Sequence, residues 1–290
     1  MRKQFVSSLK NILYNDQRTV LLLGDIGVYG FREELKNLST RAYNIGILEQ
    51  STISVAAGMS RSGLIPFIHT ISPFMVERAL EQIKDDFGYQ NLNGNFVSIG
   101  NSYDFAALGC THHCPGDIQV LSSIPNIKIF APGTSSEFDY LLGKNYQDGV
   151  NYYRLSEYEN EVSYNTDKIS VIKEGSDATV LCIGNKLNET VSACKNLNVT
   201  LLYSNTILPF DKKTLKNNFN KKIIIIQPFY VGSIDNIISE IFDDQYYRIY
   251  NIGVPRQFLT KYGTKSEHDM HLKLDSAGIH EQIKIILEKP

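Results

Sequence analysis

Short apolar runs recur along the chain between longer amphipathic segments, and this alternation is the pattern of a mostly parallel sheet covered by helices. Residues 19–23 (TVLLL) read as a strand that runs into the turn Gly24-Asp25-Ile26-Gly27. Further strands are expected at 42–47, 64–68, 95–99, 127–130 and 152–155. Residues 49–61 (EQSTISVAAGMSR) predict a helix whose small face, Ala56, Ala57 and Gly58, permits close packing. Residues 74–86 (FMVERALEQIKDD) predict one amphipathic helix with apolar positions at 75, 76, 79, 80 and 83, and another helix is expected near 135–146. A polar stretch over 156–176 has few apolar anchors and reads as a linker between domains. The alternation then resumes, with strands expected at 178–183, 199–203, 223–226 and 247–252. The fold class is therefore α/β, as two consecutive open α/β sheet domains over 1–160 and 177–290 joined by a linker over 161–176.

Bulk properties exclude several classes. A formal net charge of -2 gives no field to draw nucleic acid or an anionic membrane, and no Lys/Arg block stands beside interleaved aromatics. The start, MRKQFVSSLKNILYND, lacks the apolar core of a signal peptide, and the apolar stretch 221–229 is too short for a membrane span. Four cysteines in a chain of 290 residues do not make a disulfide scaffold, so a reducing cytoplasm is the expected compartment.

Three places combine polar side chains with loops at strand ends, where open α/β sheets usually hold their ligands. In Asn44-Ile45-Gly46-Ile47-Leu48-Glu49-Gln50, Glu49 follows an apolar run and opens a helix. It is either a carboxylate favoured by the helix dipole or a functional acid in partly desolvated surroundings. The second place is Gly109-Cys110-Thr111-His112-His113-Cys114-Pro115-Gly116-Asp117. Zinc must be considered there, but the ligands are too tightly spaced to wrap tetrahedrally around one ion, and no second Cys/His pair follows. Histidines acting as hydrogen-bonding or acid/base groups suit the segment better. The third place is the Asp25 turn, which lacks the glycine spacing and the Lys-Ser/Thr of a phosphate-binding loop.

In their order along the chain these segments resemble the pyrimidine-binding domain of transketolases and their relatives. The matching elements are Asp25, the box from Asn44 to Gln50, Ala56-Ala57-Gly58, Pro66, Phe74 with Arg78-Ala79 and Gln82-Ile83, Gly109 to His113, and Pro125-Asn126 with Pro132. The run KDDFGYQNLNGNFVSIGNSYDFAALGCTHH is especially similar to C-terminal subunits of split, two-gene transketolases. Downstream, Gly175 to Gly184, Thr206 to Asp211, Ile252 to Pro255 and Tyr262-Gly263-Thr264 resemble the transketolase C-terminal domain, so the likeness spans nearly the whole chain.

The resemblance implies thiamine diphosphate as cofactor, whose thiazolium ylid attacks a carbonyl and stabilises the resulting carbanion. It implies that Glu49 hydrogen-bonds the pyrimidine ring nitrogen and favours the imino form that removes the thiazolium proton. Phe74 corresponds to an aromatic residue packed on that ring, although ordinary core packing is the alternative. Arg78 lies one helical turn later and faces the same pocket or is structural. Asp25 corresponds to an acidic residue near the thiazolium. His112 corresponds to the histidine that meets the substrate's oxygen atoms, with His113 assisting. Tyr103 and Asp104, on the same predicted loop, and Arg154 are the remaining expected substrate contacts.

Two departures shape the expectation. Where larger transketolases carry an acidic residue before the Thr-His box, this chain has Leu108, and an Arg-x-x-Arg type of box is here Arg154-Leu155-Ser156-Glu157. Glu157 in the second arginine's place would repel a substrate phosphate, which admits a non-phosphorylated or nucleotide-linked acceptor. No Gly-Asp-Gly segment occurs anywhere in the chain, so the diphosphate and its Mg²⁺ are expected to be held by a separate diphosphate-binding subunit, in a heterotetramer. The expected activity is transfer of a two-carbon ketol unit between ketose and aldose substrates. The competing readings are the beta subunit of a 2-oxoacid dehydrogenase or decarboxylase, and a non-catalytic scaffold subunit of the same fold.

Overall fold

A computed structural model describes residues 1–242 and 246–289. In the first half the strands are β1 (Thr19–Leu23), β2 (Ala42–Asn44), β3 (Ile65–Ile71), β4 (Gly94–Ile99), β5 (Ile127–Phe130) and β6 (Val150–Leu155). The second half contributes β7 (Ser170–Lys173), β8 (Thr179–Ile183), β9 (Thr200–Ser204), β10 (Thr206–Leu208), β11 (Lys222–Tyr230) and β12 (Arg248–Val254). They form a seven-stranded sheet in the order β10-β5-β6-β4-β3-β1-β2 and a five-stranded sheet in the order β12-β11-β8-β9-β7. Within each sheet the pairing is parallel except at one edge, where β10 and β7 run antiparallel to β5 and β9. Central strands such as β1 and β8 are buried at every residue, as a sheet covered on both faces requires.

This is the expected α/β architecture of two open sheets, with three differences from the sequence reading. The 161–176 stretch is a linker only in part, because β7 lies within it and pairs with β9. The chain also crosses back, since β10 leaves the second half to extend the first sheet alongside β5. The two sheets are thus stitched together by sequence that simple division at residue 176 would separate. Finally, residues 74–86 are not one helix. A short helix, Ser72–Val76, stops, a turn follows, and Leu80–Gln82 leads into a π-helix over Ile83–Tyr89. The apolar period is still honoured, because Met75, Val76, Ala79, Ile83 and Phe87 are all buried. The interruption at 77–79 turns Glu77 toward the Cys114 thiol and Arg78 toward Glu49, on different sides of the segment.

The first residues, for which the sequence shows no signal-peptide core, form a helix over Arg2–Asn15. Phe5, Leu9 and Leu13 recur every fourth residue and are fully buried, and Phe5 meets Phe138 of the helix Ser135–Asn145 edge-on. The helix Glu49–Arg61 forms as expected, with Ala56 and Ala57 packed inward. Among the described residues no helix is long and apolar enough to cross a membrane.

Candidate active site

The carboxyl ends of β1, β2 and β3 lie side by side, and register places Leu23 opposite both Asn44 and His69. Asn44 knits two turns together: its amide oxygen accepts from the Asp25 and Gly46 backbone N–H groups, and its amide nitrogen donates to the Asp25 carboxylate at 3.1 Å. Asp25 sits at φ 61°, a left-handed conformation that Asp tolerates better than most residues. Its carboxylate is thereby held, exposed, just beyond the carboxyl end of β1.

Glu49 begins the helix Glu49–Arg61 and is 5% exposed. One carboxylate oxygen, Oε2, accepts from Arg78 Nη1 at 2.8 Å, while Oε1 is buried without a partner. A small cavity beside it is walled by Gly24, Ile53, His69, Thr70 and Met75. His69 is fully buried; its Nδ1 lies 2.7 Å from the Val97 carbonyl, and its Nε2 has no partner. Burial pushes the His69 imidazole down to about 4, so it is uncharged near neutrality. A lone histidine in an apolar strand gives no signal of this position; the alignment of β3 with β1 creates it.

Arg78 continues the constellation. Its guanidinium lies over the Phe74 ring, 4.3 Å from the centroid, while it bonds Glu49. The other neighbour of Phe74 is His112, whose ring meets it edge-on at 5.3 Å. His112 closes a 3₁₀ turn over Cys110–His112, and its Nδ1 is 3.0 Å from the Thr111 hydroxyl. Glu49, Arg78, Phe74 and His112 therefore form one continuous contact chain across the ends of the strands. Asp25 stands at the same end of the sheet.

The remaining expected residues are placed elsewhere. His113 follows His112 in extended backbone, which sends its side chain to the opposite side, where it faces His268 at 5.8 Å between ring centroids. Tyr103 is buried and donates its hydroxyl proton to Asp269, which also accepts from Lys186 at 2.7 Å and Lys265 at 2.6 Å. Arg154 is 3% exposed, and its Nε donates to Asp117 at 2.7 Å while Nη2 donates to the Pro228 carbonyl. Its guanidinium is committed to partners within the chain, so it does not present a free cation to a substrate. Sequence reasoning could not anticipate this because Asp117 is distant along the chain.

Asp104 is buried and accepts from the Glu157 backbone N–H, and burial raises its carboxyl to about 6, partly opposed by a hydrogen bond from Ser156 and the Lys265 charge. A carboxyl raised in the fold favours the protonated form, so the protein loses stability as pH rises from about 4 through about 6. Asp104→Asn keeps an acceptor and removes the buried charge. It is expected to raise the melting temperature by several degrees at pH 8 and to change it little at pH 4, as scanning calorimetry at the two pH values would register. An equal shift at both would mean that the charge is not what matters.

Residues 1–158 match the transketolase pyrimidine binding domain, and the chain belongs to the transketolase family. Its likeness to the C-terminal subunit of split enzymes of this family extends beyond that domain. It is 34% identical to an uncharacterized 33.6 kDa protein in the fasciation locus of Rhodococcoides fascians, over 98% of this chain and 93% of that protein. It is 32% identical to 1-deoxy-D-xylulose-5-phosphate synthase of Psychromonas ingrahamii over 86% of this chain, which spans only 42% of that enzyme. Identity to one of the subunits of the apulose-4-phosphate transketolase of Actinobacillus succinogenes is 30%, over 71% of each chain. Among solved structures, a split-gene transketolase described as an inactive beta4 tetramer superposes with a TM-score of 0.84 at 21% identity, covering 99% of this chain and 97% of that one.

Proposed function

We propose that this chain is the pyrimidine-binding subunit of a thiamine-diphosphate-dependent, transketolase-like enzyme that moves a two-carbon ketol unit between sugars or sugar derivatives, active with a separate diphosphate-binding subunit. The observation that carries the reading is Glu49, a buried carboxylate with one oxygen unpartnered, in contact through Arg78 with the face of an aromatic ring. These residues fit an aminopyrimidine: a ring nitrogen can be bonded by Glu49 while the ring packs on Phe74. When bound, thiamine diphosphate supplies the carbon nucleophile that accepts the ketol unit. Glu49 holds the proton shared with the ring nitrogen, Asp25 lends negative charge at the strand end, and His112 donates to or accepts from the substrate oxygen that changes charge.

Among the described residues no group of three or more His, Cys, Asp or Glu side chains could hold a metal ion. With no Gly-Asp-Gly segment in the sequence, Mg²⁺ and the diphosphate fall to the partner subunit, in a two-plus-two heterotetramer. Arg154 is ion-paired to Asp117 and Glu157 is exposed, so the Arg154-Leu155-Ser156-Glu157 segment offers no second guanidinium for a substrate phosphate, which supports an acceptor that is not recognised through phosphate. Cys110, Cys114, Cys182 and Cys194 are unpaired, which suits a reducing cytoplasm.

Arg78 acts on this pocket as a gate. Its planar guanidinium already engages both the Phe74 ring and the Glu49 carboxylate, so an entering ring must displace it. Calorimetric titration of thiamine diphosphate with Mg²⁺ is expected to show binding only when this chain is mixed with a diphosphate-binding partner, and Arg78→Ala is expected to tighten that binding about threefold or more by removing the competing closed state. Tight binding to the isolated chain would overturn the split-subunit reading. Weaker binding by Arg78→Ala would make Arg78 a cofactor-holding residue instead.

A further inference from the structure

The extended step from His112 to His113 divides two adjacent imidazoles between two sites. While His112 joins Phe74, His113 lines a small cavity with Glu77 and Cys110 of the first sheet's loops and Tyr230 at the end of β11. Through Gln257, Phe258 and Leu259 this cavity adjoins a larger one of about 500 Å³ under the irregular segment 255–264, walled by Lys261, Tyr262, His268 and His271. The larger space is within the ordinary size of a small-molecule pocket.

Three features of this crevice point to a ligand. Both ring nitrogens of His113 and Nε2 of His268 are buried with no partner, although His113 and His268 are 6% and 5% exposed. Buried polar groups left unmatched are costly, so a site with several of them is completed by something that hydrogen-bonds. Second, two aromatic rings stand unused at the rim: Phe258 is 78% and Tyr262 73% exposed. Tyr262 is nevertheless fixed, because its ring lies against Gly109, where an added Cβ would fall 2.6 Å from Cε1, and where φ of +75° independently favours glycine. Third, the formal charges are few and mixed: Glu77 and Glu267 line the crevice with Lys261, and Arg256 lies in an adjoining hollow on the far side of Gln257 and Phe258. Burial lowers His113 to about 4 and also lowers His268, so these two rings favour the uncharged form.

We propose that this crevice is a second binding site, apart from the Glu49–Phe74–His112 pocket, for an uncharged, hydroxyl-rich molecule of monosaccharide size. Neutral imidazoles, a phenol and an amide can each donate or accept, which matches hydroxyl groups. Phe258 and Tyr262 offer flat apolar faces to the C–H side of a sugar ring. The proposal does not depend on the cofactor or on the transfer reaction.

The test uses the whole chain labelled with ¹⁵N-histidine, its six histidines assigned by single His→Gln substitutions, and titrated with D-xylose, D-glucose and inorganic phosphate. A neutral sugar is expected to move the ring resonances of His113 and His268 and leave His112 in place. Phe258→Ser, at a largely exposed rim position, is expected to weaken that binding at least about fivefold without lowering the melting temperature. Failure of both sugars to move His113 or His268 would overturn the proposal. So would movement of His112 alone, phosphate binding in preference to sugar, or a folded Phe258→Ser chain that binds as the original does.

Discussion

Glu49→Gln is expected to lower partner-dependent ketol transfer by about 10²–10⁴ in kcat, the range over which a positioned acid/base group acts, while leaving the chain folded. The amide retains the shape and a hydrogen-bonding oxygen, but cannot share a proton with a ring nitrogen as a carboxylate does. Stability should change little. The Arg78 side chain is 42% exposed, so its ion pair with Glu49 is screened, and Gln introduces no buried charge to replace the one removed. Steady-state kinetics of the reconstituted enzyme, with a melting curve beside them, would separate the two effects. A folded Glu49→Gln chain that retained full turnover with its partner would remove the acid from the mechanism and favour the scaffold reading. The same variant should still allow D-xylose to reach His113 and His268, because those rings lie across the His112–His113 step from Glu49.

Glu49 was legible because the sequence marks it locally: an apolar run ends, a glycine-containing turn follows, and a carboxylate opens a helix rich in small residues. His112 was legible for a similar reason, as part of a dense polar segment between apolar ones. The fold class followed from burial on both faces of the strands, which writes itself as continuous apolar runs such as residues 19–23. What could not be read was anything made by pairing across the fold. His69 reaches the Glu49 cavity only because β3 lies beside β1, and its own neighbours in sequence are those of an ordinary core strand. His113 shares the box with His112 but faces the other way, since one extended residue reverses the direction of a side chain. Residues 74–86 satisfy a helical period, yet the chain breaks at 77–79, where Glu77 and Arg78 find partners on different sides. The antiparallel addition of β10 is a fact of topology that a strand of three residues cannot announce.

The fold gives Arg154 an internal partner that its sequence context does not show, and Asp117→Ala tests that role. Asp117 is fully buried at the start of the helix Asp117–Leu121, and its Oδ2 accepts both from Arg154 Nε at 2.7 Å and from the Tyr152 hydroxyl at 2.9 Å. The other end of the guanidinium donates to the Pro228 carbonyl on β11, so the ion-paired Arg154 also bonds across to the second sheet. Removing Asp117 leaves a buried guanidinium without its counter-charge and takes the acceptor from the Tyr152 hydroxyl, which keeps only its bond from Ser98, and is expected to destabilise the chain by about 3–5 kcal/mol, against a total of about 5–15 kcal/mol for typical domains. Urea unfolding at neutral pH would measure the loss. Replacing both members, Asp117→Leu with Arg154→Met, should recover most of it, because the penalty comes from the unpaired charge rather than from the missing bond. A change within about 1 kcal/mol for Asp117→Ala would mean that Arg154 can find water or another anion. It would then be available to a substrate after all, and the case for an acceptor that is not recognised through phosphate would lose its main support.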